Sequence, residues 1–373
     1  MDLGYSQEQK MLKQAARDFL SKEAPMAKVR AALETTTGYD HALWKQLASL
    51  GWLGLPFRAD VGGGDGSIVD LAALYEEFGR ALLPSPHLET VVICGGLIQA
   101  FAAQEQRKRL LPAIAKGDLV ITPLLPKPGL PPGPDSAGMR TRRTDTGWTL
   151  NGTADMVTFG DSAEACLCLA KVEGTHQLAL FDLAAERPGM SVTERPNITS
   201  QRLYTVSFEN VHAAPGSLIG QPGMGWKTVQ AVLDRAAVLR CAQLTGACAR
   251  ALEMAVDYAR TRVQFGQPIG KFQGVQWLAA DASVAAHTAS LMTAQAAWAI
   301  DAGLPHEREV ALAKAYASIA ARDGIRAAHE VFAGVAFIAE HDMHLYARHA
   351  KFWEISLGEV RHFKERAAQA MGL

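Results

Sequence analysis

Very little in this chain of 373 residues points to a nucleic acid or a membrane. A charge excess is missing: 37 Lys and Arg stand against 38 Asp and Glu, a net charge of -1 with His neutral. No basic surplus is present to hold nucleic acid or an anionic bilayer. Cysteine is scarce, with Cys94, Cys166, Cys168, Cys241 and Cys248 making five. An odd number without zinc-type spacing to histidine argues against a disulfide framework or a zinc module, and fits buried thiols in a reducing compartment. Long apolar runs are also absent. The N-terminal stretch MDLGYSQEQKMLKQAARDFL is amphipathic, with neither a signal-type apolar segment nor a membrane span. The expectation is a cytoplasmic protein with small-molecule chemistry, no membrane insertion and no nucleic-acid partner.

What is present falls into three textures, within the range of two or three packed units for this length. Residues 1–119 show helical spacing: Ser6 and Gln9 form a capping box, Met11, Leu12, Ala15, Phe19 and Leu20 share a face, and Gly117 stops a later helix. Residues 120–225 turn to proline, glycine and β-favouring runs. A proline-rich loop at residues 127–138 precedes WTLNGTADMVTF, ACLCLAKV, HQLALFDL and YTVSFENV, read as antiparallel strands. Residues 226–373 are long alanine-rich helical windows with short connections, which predicts an up-and-down four-helix bundle. The fold class expected is α+β, with helical, antiparallel β and helical-bundle domains in that order.

Between two of the bundle helices lies RTRVQFGQPIGKFQ, from Arg260 to Gln273. Gly266, Pro268 and Gly270 explain a turn. A turn does not need Arg262, Gln264 and Gln273, whereas a guanidinium fork and amides suit the phosphates and adenosine of a dinucleotide. Phe265 offers a face for apolar rings. The stretch from Arg262 to Gln273 resembles the R-x-Q-F-G-x-P-I-G-x-F-Q signature of the acyl-CoA dehydrogenases, and the order of the three domains resembles that family throughout. The resemblance implies FAD as cofactor, bound by Arg262, Gln264, Phe265 and Gln273, partly on behalf of a neighbouring subunit. HEVFAGVAFIAEHDMHLYARHA resembles the family's glycine-containing segment, in a bacterial subgroup with an EHDxH-type C-terminal segment. There Gly334 would lie against the adenosine of a partner's flavin, with Ala333 and Ala336 where glycines are usual. LNGTADMVTFGDSAEA resembles the strand beside the isoalloxazine, with Thr158 at the flavin-contacting position and Met156 in place of a frequent tryptophan. The resemblance further implies an acyl-CoA substrate, an electron-transfer flavoprotein as acceptor, and a dimer-based homo- or hetero-oligomer, expected as a tetramer.

Dehydrogenation of an acyl thioester needs a base for the α-hydrogen on one face and a hydride acceptor on the other. The family's usual base is a glutamate, and RHAKFWEISLGEV places Leu357 at its common position. A second family position, on the first bundle helix, falls on Ala236 and Ala237, and a third on Gln243. None of these accepts a proton. Glu89, beside Leu88, Val91 and Val92, is the internal substitute singled out, with a surface position as the alternative. Asp234, Glu354 and Glu359 are expected to be solvated or helix-end charges.

His329, His341, His344 and His349 lack metal-ligand spacing and are read as polar packing or solvent-exposed side chains. Trp277 and Trp353 are read as core or interface aromatics. Arg140 to Arg143 (RTRR) are read as a solvated hairpin edge. Two functions stand open: an acyl-CoA dehydrogenase subunit, active alone or with a partner, and a flavoprotein of the same fold that has lost dehydrogenation.

Overall fold

The computed structural model describes residues 3–125, 134–199 and 201–373. Most of the proline-rich loop expected at residues 127–138 lies outside them. The first helix, α1 (Gln7–Glu23), starts where the capping box predicts: Gln9 N donates to Ser6 Oγ at 3.2 Å and Ser6 N to Gln9 Oε1 at 2.9 Å. It is followed by α2 (Met26–Glu34), α3 (His41–Ser49), α4 (Ile68–Arg80), a π-helical stretch (His87–Cys94), α5 (Gly95–Phe101) and α6 (Gln104–Ala115). The last ends just before Gly117, whose φ of +68° suits a residue without a side chain.

The middle segment forms one eight-stranded sheet: β1 (Ile121–Leu124), β2 (Met139–Thr144), β3 (Gly147–Thr158), β4 (Ala165–Val172), β5 (Leu178–Ala184), β6 (Met190–Arg195), β7 (Leu203–Ala213) and β8 (Leu218–Met224). Its order is β6-β7-β3-β2-β4-β5-β8, with β1 against β4. The expected all-antiparallel sheet needs correction. β1 pairs β4 in parallel along Ile121–Leu124, and β2 pairs β4 in parallel beyond it, from Met139 opposite Ala170. The reason is the docking order: β4 reverses direction from β3 but docks beside β2, and since β2 already runs opposite to β3, β2 and β4 must run alike. The reading of Arg140 to Arg143 as a solvated hairpin edge holds at Arg142 and Arg143 and fails at Arg140. β2 is bonded to β4 only from Met139 to Thr141, so Arg142 and Arg143 pair with β3 alone and stand exposed, while Arg140 is exposed on the stretch bonded on both sides.

The third segment contains α7 (Trp226–Thr261), α8 (Gln273–Asp301), α9 (Glu307–Phe332), α10 (Met343–Ile355) and α11 (Val360–Ala370). The predicted four-helix bundle holds with one difference. Its fourth leg is split into α10 and α11 at Leu357 and Gly358, whose φ values of +64° and +121° no α-helix accommodates. The first and third segments share one hydrophobic core, while the sheet has a second of its own. Two glycines allow that fusion: a Cβ on Gly79 of α4 would stand 2.1 Å from the Gln243 carbonyl oxygen of α7, and one on Gly246 would stand 1.9 Å from that of Glu76. Any side chain there would force the helices apart. Among the described residues no helix is long and apolar enough to cross a membrane, and all five cysteines are free and buried.

Candidate functional site

The sheet, the π-helical stretch, the start of α7 and the α10–α11 junction enclose a cleft of about 1080 Å³, its open mouth included. On the sheet side, β3 carries Asp155, Met156, Val157 and Thr158 along the wall. The strand is bulged here: its register against β7 shifts between Ala154 and Val157, and Met156 takes a left-handed φ of +58°. Thr122 Oγ1 donates to the Thr158 carbonyl at 2.7 Å and ties the bulged end of β3 to β1. On the helical side, Trp226, Gln230, Leu233 and Asp234 line the cleft at the spacing of a single α7 face.

The opposite wall is the junction itself, Ser356, Leu357 and Gly358, followed by His362, Phe363 and Arg366 of α11. A Cβ on Gly358 would stand 2.7 Å from His362 Cδ2 and 3.1 Å from Phe363 Cε2, so the tight turn requires glycine. The junction is anchored from beneath by Lys314 of α9, fully buried, whose Nζ donates to the carbonyls of Glu354 at 2.8 Å and Trp353 at 3.1 Å. A cation is well placed at a helix C-terminus. Burial still pulls the Lys314 pKa down to about 8.

Two ion pairs, one partly and one fully buried, set the electrostatics of the cleft. Arg366 Nη2 meets both oxygens of Asp234, at 2.9 and 3.0 Å, and Gln230 Nε2 adds a third bond at 2.8 Å. Deeper in, Arg240 Nη2 donates to Glu89 Oε1 at 2.9 Å and Nη1 to Gln243 Oε1 at 2.6 Å, with the guanidinium 5.4 Å from the Phe352 ring centroid. Burial lowers the Arg240 pKa, and the Glu89 charge opposes that shift. His362 is held below the ordinary histidine value, first by burial and then by the Arg366 charge, so its imidazole is neutral near pH 7.

The residues anticipated from sequence divide into two groups. Glu89, Leu357, Met156 and Thr158 line the cleft, and Gln243 lines a smaller cavity adjoining it. Glu89 is buried, which removes the surface alternative, but its carboxylate is engaged by Arg240. Arg262, Gln264, Phe265, Gln273 and Gly334 lie at the far end of the bundle. At about 1.5 Å per residue, the α7 stretch from Asp234 to Arg262 spans roughly 42 Å. Arg262 N bonds the Tyr258 carbonyl, and the Tyr258 ring packs 4.6 Å from that of Phe332, next to Gly334. Val263–Gln264 and Gln267–Pro268 form a two-residue hairpin whose tip, Phe265, is 93% exposed. Ala333, where a glycine was expected, holds φ +52° and ψ -136°, a glycine-type conformation that costs an alanine about 1 to 3 kcal/mol.

Other readings need correction. Asp234 and Glu354 are buried, not solvated: helix packing turns both inward, one onto Arg366 and the other within 3.3 Å of Lys351 Nζ. Glu359 does stand exposed at the start of α11. His349 is fully buried, while Trp277 is 62% exposed and Trp353 is in the core. Sequence reasoning did not identify Arg240, His362 and Arg366 as cleft residues. The spacing of Trp226, Gln230 and Asp234 on one helix face was a usable signal for Asp234; nothing local announces Arg366, which is 132 residues away from its partner.

Comparison with known proteins decides the family. Residues 6–118 match the family model of the acyl-CoA dehydrogenase N-terminal domain, and residues 223–371 that of the C-terminal domain. This chain belongs to the acyl-CoA dehydrogenase family. It is 27% identical over 370 residues to a probable acyl-CoA dehydrogenase of Bacillus subtilis, covering 96% of each chain. It is also 27% identical over 371 residues to a short-chain specific acyl-CoA dehydrogenase of Clostridium acetobutylicum, again covering 96% of each. Among solved structures, butyryl-CoA dehydrogenase from Megasphaera elsdenii superposes with a TM-score of 0.89 at 26% identity, over 100% of both chains. The ChsE4-ChsE5 complex from Mycobacterium tuberculosis gives a TM-score of 0.90 at 25% identity, over 100% of this chain and 99% of that one. Leu357, which the sequence resemblance aligns with the family's usual glutamate, stands at the α10–α11 junction on the wall of the cleft.

Proposed function

We propose that this chain is an FAD-dependent acyl-CoA dehydrogenase-type subunit working on the α and β carbons of a CoA thioester, in an assembly of at least two chains. The observation that carries the reading is the cleft, where the bulge of β3 at Met156 and Thr158 faces the α10–α11 junction across a space open to solvent. Bound FAD supplies the hydride acceptor. The residues at the far end of the bundle suit the rest of the cofactor. Among the described residues the Arg262 guanidinium has no hydrogen-bond or ion-pair partner, while Gln264, Gln273 and Phe265 are exposed. Arg262 is assigned to the pyrophosphate, Gln264, Gln273 and Gly334 to the adenosine half, and Phe265 to the rings. The distance along α7 is too great for one dinucleotide to touch the loop and the cleft of the same chain. Each cofactor therefore takes its cleft from one chain and its loop from a partner, which supports a dimer-based tetramer. Trp277, Val284 and Leu291, exposed and seven residues apart along α8, offer that partner an apolar stripe.

The domain limits are taken as 1–119, 120–225 and 226–373, the acceptor as an electron-transfer flavoprotein, and the compartment as the cytoplasm, which the five free thiols support. A second reading, a subunit that keeps the cofactor but leaves dehydrogenation to a partner, is favoured by Leu357 at the base position and by the pairing of Glu89 with Arg240. Anaerobic mixing of the yellow protein with a panel of saturated acyl-CoAs, alone and with any co-encoded homologue, separates the two. Bleaching of the visible flavin band by the chain alone supports a self-sufficient enzyme, and bleaching only in the mixture supports the second reading. No bleaching in either arm counts against both.

Cofactor binding is tested by Arg262→Ala. Charge-assisted hydrogen bonds contribute about 1.5 to 3 kcal/mol each, so the variant is expected to hold FAD roughly 10- to 100-fold more weakly and to purify largely colourless. A variant with full flavin content in its absorption spectrum overturns the assignment of Arg262.

A further inference from the structure

The inner end of the cleft is unlike the apolar tunnel that a plain hydrocarbon tail would fill. Leu88, Ile93 and Leu233 line the cleft together with Arg240 and Glu89, and Leu88, Glu89 and Arg240 also line an adjoining cavity with room for little more than one water molecule. That cavity is walled largely by polar side chains, among them Tyr75, Ser85, Gln201 and Gln243. Arg240 is only 5% exposed, and one of its three guanidinium nitrogens has no partner. Its Nη1 and Nη2 are taken by Gln243 and Glu89, while Nε is buried with no partner.

We propose that the acyl chain received by this cleft carries a neutral oxygen, a hydroxyl or keto group, towards its far end, and that Arg240 and Glu89 recognise it. This rests on the acyl-CoA reading above and narrows its substrate class. Three physical points lead to it. A hydrocarbon tail pushed against Arg240 seals an unsatisfied donor away from water, which is unfavourable. A terminal carboxylate adds a second negative charge beside Glu89, where the Arg240–Glu89 pair is already balanced and little solvent screens the excess. A keto or hydroxyl oxygen accepts the Nε hydrogen bond without adding charge, and a hydroxyl can also donate to the Glu89 carboxylate.

The test is calorimetric titration of the FAD-loaded protein, in its native assembly, with three chain-matched CoA thioesters. One is octanoyl-CoA, the second bears a keto group on the penultimate carbon, and the third ends in a carboxylate. The keto thioester is expected to bind about 10-fold more tightly than octanoyl-CoA, and the carboxylate-ended one no better than octanoyl-CoA. The double variant Glu89→Leu/Arg240→Met removes both charges together, so neither is left buried alone, and is expected to bind the first two thioesters equally. Octanoyl-CoA binding as tightly as the keto thioester to the unaltered protein overturns the inference and leaves the acyl-CoA reading standing. A carboxylate-ended thioester binding tightest overturns it in favour of an anion site. Failure of all three to bind overturns the acyl-CoA reading together with the inference.

Discussion

Replacing Leu357 by glutamate is expected to accelerate removal of the α-hydrogen from a bound acyl-CoA by about 10²- to 10⁴-fold, the usual contribution of a positioned general base. Leu357 lines the cleft in the turn between α10 and α11. Its φ of +64° already carries whatever strain a side chain incurs there, so glutamate adds no new backbone penalty. The nearest strong cation on α11, Arg366, is bound by both oxygens of Asp234, which leaves a new carboxylate free to act as a base. Gln243→Glu is a different case, although sequence alone treats the two positions alike. Arg240 already bonds the Gln243 side chain at 2.6 Å, so a carboxylate there would be captured as an ion pair, and little gain is expected. The measurement is exchange of the α-hydrogens into deuterated water, followed by NMR, with Leu357→Gln as the isosteric control. Rapid exchange by the unaltered chain, not increased by L357E, would mean that a base elsewhere in the cleft already does the work.

The second large effect is a loss of stability in mild acid, carried by two histidines that the fold buries in their neutral form. His87 is enclosed in the π-helical stretch, its Nδ1 2.7 Å from the Tyr75 hydroxyl and its Nε2 3.1 Å from the Trp52 carbonyl. The network is satisfied only if Nε2 carries the proton and Tyr75 donates to Nδ1. His349 places Nδ1 2.9 Å from the Leu345 carbonyl and leaves Nε2 buried without a partner. Burial pushes the pKa of each from 6.5 down to about 4. The unfolded chain therefore takes up these protons near pH 6.5 while the folded chain resists until about pH 4. Stability is full above the higher value and declines as pH falls through that window. At about 1.4 kcal/mol per unit the loss approaches roughly 3 kcal/mol for each histidine. Urea unfolding between pH 7 and pH 4.5 is expected to show the decline, and His349→Leu, which removes one titration and one unpaired nitrogen, to make it about half as steep. An unchanged slope in that variant would rule out His349 as a source of the acid sensitivity.

Sequence alone was sufficient for the features written locally. The α1 cap is a short-range hydrogen-bond exchange between Ser6 and Gln9. The three textures followed from hydrophobic periodicity and breaker residues, and the stretch from Arg262 to Gln273 carried its likeness in consecutive residues. That leucine at position 357 takes no proton was also legible, because side-chain chemistry does not depend on the fold. Tertiary structure decided what depends on residues distant in the chain. It turned Asp234 inward onto Arg366, placed Glu89 against Arg240 across 151 residues, and left Arg240 Nε without a partner. It also set the first half of β2 inside the sheet and separated the loop from Arg262 to Gln273 from the cleft by the length of α7. The physical reason is common to all of these. Local propensity and capping act over a few residues and leave a signature there, whereas burial and ion pairing are set by which helix faces and strand edges meet once the shared core closes.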